Sequence, residues 1–186
     1  MGGPDGTCTV KTLPDYLAPG LDIVFVGINP GACSAEVGHY FATPANRFWP
    51  AVNRSGLLPE PFGPDDDHRV LEQGIGLTDV VKRASNSASK LRAADYRRWA
   101  PVLKEKLERF APLIVCFHGV TGYRGYLKYA EDVESRAELG LQQRPIGVSR
   151  VFIVPNPSPA NAVYSLDNLT GWYLHLKDLR DELRQT

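Results

Sequence analysis

The chain has 186 residues, of which 43% are hydrophobic and 23% are charged. This is the composition of an ordinary globular protein and the length of one well-buried domain. Its 21 basic and 21 acidic residues cancel. Net charge therefore gives no support for nucleic-acid binding, and any phosphate-binding surface has to be local. No apolar stretch approaches the roughly 20 residues that a membrane helix needs, which argues against a membrane-spanning protein.

The three cysteines, Cys8, Cys33 and Cys116, are scattered along the chain and form no Cys-x-x-Cys pair. This pattern argues against a zinc or iron–sulfur site and favours a reducing compartment. The first 20 residues lack the cationic start and apolar block of a secretory signal. We therefore expect a cytoplasmic protein.

Residues 1–16 are rich in Gly, Pro and Thr, which predicts a flexible N-terminal arm ahead of one domain over residues 17–186. Apolar runs predict buried strands at 21–26, 113–117 and 150–154, and a strand or loop at 74–81. Helical patterns cover 45–57, 95–110, 119–129 and 168–184. This alternation predicts a single three-layer α/β/α domain with a central, mostly parallel sheet.

Finer features of the helices and loops can also be predicted. Pro50 is expected to kink the first helix or to confine its regular part to one side, and Pro101 to lie in the first turn of the second. Asp167 is a candidate N-cap for the last helix. The connection 32–44 is long enough to predict a functional or mobile loop, and the acidic stretch 59–67 predicts a solvated one.

Two polar loops directly follow predicted core strands: GINPG at residues 27–31 and NPS at residues 156–158. A polar amide beside Pro and Gly is a poor choice for core packing. It suits a loop that holds a ligand against the edge of a rigid sheet. We expect the two loops to face one another across a single crevice.

Four motifs in this order resemble the mismatch-specific uracil/thymine DNA glycosylase family, the second family of the uracil-DNA glycosylase superfamily. They are GINPG at 27–31, PANRFW at 44–49, GLTDVV at 76–81 and PNPS at 155–158. The resemblance implies an enzyme that flips a mismatched or damaged base out of double-stranded DNA. It further implies cleavage of the base–sugar bond without a metal or an organic cofactor, and a monomer suits such a scanning enzyme.

By this resemblance, Asn29 is a catalytic residue whose side-chain carbonyl holds the attacking water. An amide oxygen is a weak base, so Asn29 should orient water rather than deprotonate it, and a slow enzyme is expected. The alternative is that Asn29 only makes an Asx-turn ahead of Pro30.

The resemblance also implies a substrate pocket. Phe41 is predicted to stack on the flipped base, which is typically worth about 1–3 kcal/mol, or else to anchor its loop on the core. Ile28 and Gly31 are predicted to contribute main-chain groups, with Gly permitting close approach of the backbone. Asn46 is a further candidate that could be structural.

Asp79 departs from the family pattern, in which familiar relatives carry Lys or Asn. A carboxylate in the pocket could act as a general base for water, or could stabilise the cationic sugar. Alternatively, Asp79 caps the following segment or pairs with Lys82 or Arg83.

The segment 156–161 corresponds to the family's insertion loop, which fills the gap left by the flipped nucleotide. Its candidate DNA-binding residues are Asn156, Ser158, Pro159, Ala160 and Asn161. Among them, Ser158 is predicted to contact a phosphate and Asn161 the unpaired opposite base. The Ala160 side chain is small for filling the gap in the base stack. The alternative is a tight turn leading into the last helix. His118, after the third strand, is predicted to be a hydrogen-bonded structural residue.

Three other functions remain open at this point. The same chemistry could act on a shifted set of bases, such as hypoxanthine or xanthine. A protein of this fold could bind damaged DNA without catalysis, although the presence of Asn29 argues against that. GINPG could instead cradle a nucleotide phosphate, but it lacks the G-x-G-x-x-G or G-x-x-x-x-G-K-[ST] spacing.

Overall fold

The computed structural model describes residues 12–185. Four parallel strands form the centre of the sheet: β1 (Ile23–Gly27), β2 (Ile75–Asp79), β3 (Ile114–His118) and β5 (Arg150–Val154). A two-residue strand, β4 (Gly140–Leu141), pairs antiparallel with β5, giving the order β2-β1-β3-β5-β4. Because helices cover both faces of this sheet, β1, β2 and β3 are buried along their whole length.

The helices are α1 (Ala32–Val37), α2 (Phe48–Ser55), α3 (Ala93–Phe110), α4 (Val120–Ala130) and α5 (Leu166–Leu183). Short 3-10 helices cover Pro64–Gln73 and Ala88–Lys90. Helix α2 packs against α5, and α3 packs against α4. The core is accordingly divided into two clusters, with Phe48 and Tyr173 in one and Leu103 and Tyr126 in the other. The predicted three-layer α/β/α architecture is confirmed.

Several local predictions were wrong. Pro101 lies inside α3 rather than in its first turn, where packing of the apolar face outweighs the missing backbone donor. The N-cap of α5 is Ser165, whose side chain accepts a hydrogen bond from the Asn168 amide, and Asp167 lies inside the first turn. The connection 32–44 was expected to be a loop, but it begins with helix α1.

Pro50 lies in the first turn of α2, where no intrahelical donor is needed, and the regular helix is confined to Phe48–Ser55. The helix ends as predicted, with Gly56 in the left-handed region at φ 69°.

Part of the predicted flexible arm packs on the domain. Leu13 is buried in the core, and Tyr16 exchanges two backbone hydrogen bonds with Leu77. Residues 12–16 are therefore part of the folded unit, which corrects the arm prediction for that stretch. The remainder of the predicted arm, residues 1–11, lies outside the described residues.

Candidate active site

A cleft of about 400 Å³ lies at the carboxyl ends of the parallel strands, where open α/β sheets usually bind their ligands. The loops after β1, β2 and β5 contribute to its lining, together with His118, the last residue of β3. Ten of the predicted site residues line it: Asn29, Asp79, Ile28, Gly31, Phe41, Asn46, Asn156, Ser158, Pro159 and Ala160. The expectation that GINPG and NPS face one crevice is therefore met by the geometry. Asn161 is the predicted site residue outside this lining.

The orientation of the Asn29 side chain is fixed by its amide nitrogen. Nδ2 donates to the carbonyl oxygen of Pro30 at 3.1 Å, to that of Arg83 at 3.0 Å and to Ser85 Oγ at 2.8 Å. Because carbonyl oxygens only accept hydrogen bonds, the atom facing them has to be nitrogen. Oδ1 is left without a hydrogen bond from residues 12–185, so the Asx-turn alternative is not formed and Oδ1 is available to a ligand.

Asp79 ends β2 and is almost completely buried in the wall of the cleft. Its Oδ2 has no hydrogen-bond partner within the described part of the chain. Burial raises the pKa of Asp79 to about 7; the Lys82 ammonium opposes this shift, and the Asp15 carboxylate adds to it. A carboxyl group with a pKa near neutrality is well matched to accepting a proton from water.

The predicted pairing of Asp79 with Lys82 or Arg83 is only partly present. Lys82 Nζ lies 3.8 Å from Asp79 Oδ2 but 2.8 Å from Asp15 Oδ1, so its closer partner is Asp15. Arg83 pairs with Asp95 at 2.8 Å. Asp79 thus has only the longer of the two Lys82 contacts, and the Tyr40 hydroxyl also stabilises its charged form and so opposes the rise in its pKa.

Phe41 is anchored on the core and also lines the cleft, and its predicted stacking on a flipped base stays a prediction. Its ring stacks on the buried Phe48 with centroids 3.9 Å apart, and the residue also lines the cleft. Its backbone has a positive φ of 57°, which is unusual for a bulky residue. The neighbouring Tyr40 amide donates to Asp67 Oδ2 at 2.8 Å, and the Ala42 amide donates to Ser34 Oγ at 3.1 Å. These bonds hold the chain on both sides of Phe41.

Asp67 contradicts the prediction that the acidic stretch 59–67 is solvated. Its side chain is fully buried, and it accepts hydrogen bonds from the Tyr40 amide and the Tyr16 hydroxyl. A His39 ring nitrogen lies 3.2 Å from it. The last residue of an apparently solvated acidic run thus anchors the loop that carries Phe41.

The 156–161 loop is tightly turned. Asn156 Oδ1 accepts from the Ser158 amide at 2.9 Å, and Ser158 Oγ accepts from the Ala160 amide at 3.3 Å. Asn161 Nδ2 donates back to the Asn156 carbonyl at 3.0 Å. The Asn161 amide nitrogen is therefore used inside the loop, whereas Pro159 and Ala160 are exposed at its surface.

The chain matches a known protein family over most of its length. The family model described as the uracil DNA glycosylase superfamily matches residues 14–180. The chain belongs to the uracil DNA glycosylase superfamily. Membership in this superfamily supports the assignment of the chain as a DNA glycosylase, an enzyme that acts on DNA.

The fold is also similar to a solution NMR structure from Methanosarcina acetivorans, of a protein provisionally assigned as a uracil DNA glycosylase. The TM-score is 0.58 at 22% sequence identity, with 90% of this chain and 98% of that chain covered. At this level of identity, the similarity establishes the shared fold and no more.

In this superfamily member, His118 lines the cleft but is held as a structural residue. Its Nε2 lies 3.0 Å from the Tyr173 hydroxyl, and its ring stacks on Phe25 at 5.3 Å. Burial lowers the pKa of His118 to about 3, so the imidazole is neutral at physiological pH. Nδ1 is buried without a hydrogen-bond partner among the described residues. A neutral ring of this kind is not a proton donor of useful acidity.

Three supporting residues were missed by reasoning from the sequence. Ser85 orients Asn29, Asp67 anchors the Phe41 loop, and Arg47 binds the carbonyl groups of the 156–164 segment. Ser85 lies in a polar stretch with no periodicity, and Asp67 ends an acidic run, so neither stands out. Arg47 lies inside PANRFW, and its position in that motif was the available signal.

Within residues 12–185, no group of three or more His, Cys, Asp or Glu side chains is arranged to hold a metal ion. No helix in that part of the chain is both long enough and apolar enough to span a membrane.

Proposed function

We propose that this protein is a monofunctional DNA glycosylase of the mismatch-specific uracil/thymine type. It excises uracil, together with thymine or ethenocytosine, from mismatched duplex DNA, especially opposite guanine, and leaves an abasic site for base excision repair. The observation that carries the proposal is the fixed Asn29 amide, whose Oδ1 accepts no hydrogen bond from residues 12–185 and lies in a cleft shared with Phe41 and Asp79.

The reaction begins with extrusion of the target nucleotide, because a base inside the stack cannot be reached. Extrusion costs on the order of a few kcal/mol, and less for a mismatched base. Part of the preference for G·U and G·T therefore arises before the base enters the cleft. Phe41, supported from below by Phe48, offers an aromatic surface on which the extruded base stacks.

Hydrolysis then follows at the sugar. The oxygen of a water molecule bonds to C1′, and the C1′–N bond breaks with its electron pair leaving on the base. The sugar is cationic in the transition state and the departing base is anionic. Asn29 Oδ1 orients the water, since an amide oxygen is too weak a base to deprotonate it.

Asp79 takes the proton that the water loses. Its location in the cleft wall and its raised pKa support this role. With a pKa of about 7, the carboxylate form is present at neutral pH and is basic enough to accept a proton from water. The carboxylate also has the charge needed to stabilise the cationic sugar. With Asp79 as the base, the weak basicity of Asn29 no longer limits the reaction to a very slow rate.

On the DNA side, the 156–161 loop enters the gap left by the extruded nucleotide. Pro159 and Ala160 are its exposed residues and lie at the rim of the cleft. Ser158 is assigned a phosphate contact. Asn161 is assigned to the opposite base through Oδ1, because its Nδ2 is bound within the loop. The protein works as a monomer on double-stranded DNA.

The proposal is tested by single-turnover excision from a duplex panel carrying uracil, thymine, ethenocytosine, hypoxanthine or xanthine, each opposite guanine and adenine. We expect release of uracil opposite guanine to be fastest. Preferential release of hypoxanthine or xanthine would replace the proposed substrate with deaminated purines. Binding of the duplexes without release of any base would replace the enzyme with a damage-binding protein, and neither binding nor release would reject both.

A further inference from the structure

Arg47 joins two parts of the active site that are distant in sequence. Its guanidinium donates to the carbonyl oxygens of Ser158 and Asn161, both at 2.7 Å, and to that of Tyr164. Its Nε and its backbone amide both donate to the Pro157 carbonyl, at 3.4 Å and 3.2 Å. One side chain thus binds four carbonyl groups of a single surface loop.

The partners of Arg47 are unusual for an arginine. Within residues 12–185 it forms no ion pair with a carboxylate, and its hydrogen bonds all go to main-chain oxygens of the 157–164 segment. A guanidinium remains charged at all relevant pH values and carries five donors in a rigid fork. Another conformation of the loop would separate this half-buried charge from the four carbonyl oxygens. That loss disfavours other shapes of the loop.

The backbone of Arg47 is also held in place. It immediately precedes α2, between Asn46, which lines the cleft, and Phe48, which supports Phe41. The same short segment therefore carries the support for the stacking surface and the clamp on the loop. Arg47 therefore links the two features directly.

The loop held in this way presents small apolar groups to solvent. Pro159 and Ala160 are exposed, and Val163 has 81% of its surface exposed. None of these side chains is bulky enough to fill the space of a base by itself. A rigid loop can still enter a base stack, because little conformational entropy is lost when it does so.

We propose that Arg47 is a positioning residue that holds the 156–164 loop ready to enter the base stack at a fixed distance from Phe41. The inference rests on the proposed function. Loss of the clamp should make extrusion and retention of the base less favourable. It should leave the hydrolytic step unchanged once the base is in the cleft.

The test measures single-turnover excision of uracil by the full chain carrying Arg47→Lys or Arg47→Ala. The lysine variant keeps the charge but cannot reach four carbonyl groups, so it remains informative where the alanine variant folds poorly. We expect excision from a G·U duplex to fall roughly 10- to 100-fold, which corresponds to extrusion and retention of the base that are less favourable by about 1.4–2.7 kcal/mol. Arg54→Lys is the matched control, because Arg54 lies in α2, the helix that Arg47 precedes, and pairs with Asp167 at the surface.

A second duplex separates positioning from general damage to the fold. It carries a pyrene nucleotide opposite uracil, which fills the base stack and keeps the uracil extrahelical. We expect the Arg47 variants to approach the wild-type rate on this duplex. An equal loss on both duplexes, or no loss on either, would overturn the inference. Failure of the wild-type protein to release uracil from either duplex would instead overturn the proposed function on which the inference rests.

Discussion

Gly27 and Asp79 are register partners at the carboxyl ends of β1 and β2, and a β-carbon on Gly27 would lie 2.4 Å from Asp79 Oδ1. The Asp79 carboxyl group therefore lies against bare backbone at the first residue of GINPG. The backbone of Gly27 is not in the left-handed region. Glycine is needed here for space rather than for conformational freedom.

Gly27→Ala is accordingly expected to displace the Asp79 carboxyl group while the protein still folds. We expect the single-turnover rate to fall roughly 10- to 100-fold, with a much smaller change in melting temperature. Gly171→Ala in α5 is the matched control, since a β-carbon there meets no atom within 4 Å. A wild-type rate for Gly27→Ala would show that the position of the carboxyl group does not matter.

The rate should depend on pH through Asp79. Its pKa of about 7 means that the carboxyl group is mostly protonated, and inactive as a base, at lower pH. We expect the wild-type rate to rise as the pH increases through this value. Asp79→Asn should be slower by roughly 10²- to 10⁴-fold above the pKa and should lose the inflection. The same inflection in both proteins would assign it to another group.

The buried carboxylate of Asp79 should also lower the free energy of unfolding of the protein at neutral pH. Its pKa is raised from 3.8 to about 7 on folding, so the native state binds more protons than the unfolded state between these values. The contribution of Asp79 to the free energy of unfolding therefore falls as the pH rises through that window. His118 has the opposite sign, because its pKa is lowered from 6.5 to about 3.

The contribution of Asp79 to stability can be measured by denaturant unfolding at several pH values. Asp79→Asn should stabilise the protein by about 1–3 kcal/mol at high pH, the cost of an unsatisfied buried polar group. The gain should be smaller at low pH, where the wild-type carboxyl group is already protonated. A variant less stable than wild type at high pH would mean that the carboxylate is well accommodated.

Phe41→Leu should weaken capture of the extruded base. Leucine keeps the apolar contact with Phe48 but removes base–aromatic stacking, which is worth about 1–3 kcal/mol. We expect the concentration of enzyme at half-maximal single-turnover rate to rise by roughly one to two orders of magnitude. Phe110→Leu, at the far end of α3, serves as the control. An unchanged Phe41→Leu enzyme would reduce Phe41 to a core anchor.

The parts of the fold that could be predicted are those determined by local pattern. The strand at Arg150–Val154 has the predicted bounds, because a short apolar run buried on both faces admits few other structures. The polar loops after β1 and β5 share one edge because parallel strands bring their carboxyl ends together.

The unpredicted parts depend on contacts between distant residues. Asp67 is buried because Tyr16 and Tyr40 reach it from elsewhere in the chain. Ser85 matters because β2 brings it beside Asn29. The acidic run and the Ser-rich stretch containing them have nothing in their local pattern to distinguish these residues from solvated neighbours.

The most direct test of the account compares wild type with Asn29→Ala in single-turnover excision of uracil opposite guanine. We predict that wild type releases uracil and that the variant is slower by roughly 100-fold or more, with duplex binding retained. Gln143→Ala is the matched control, because Gln143 is an exposed amide outside the cleft lining. An Asn29→Ala enzyme with the wild-type rate would contradict the assignment of Asn29 as the residue that positions the attacking water.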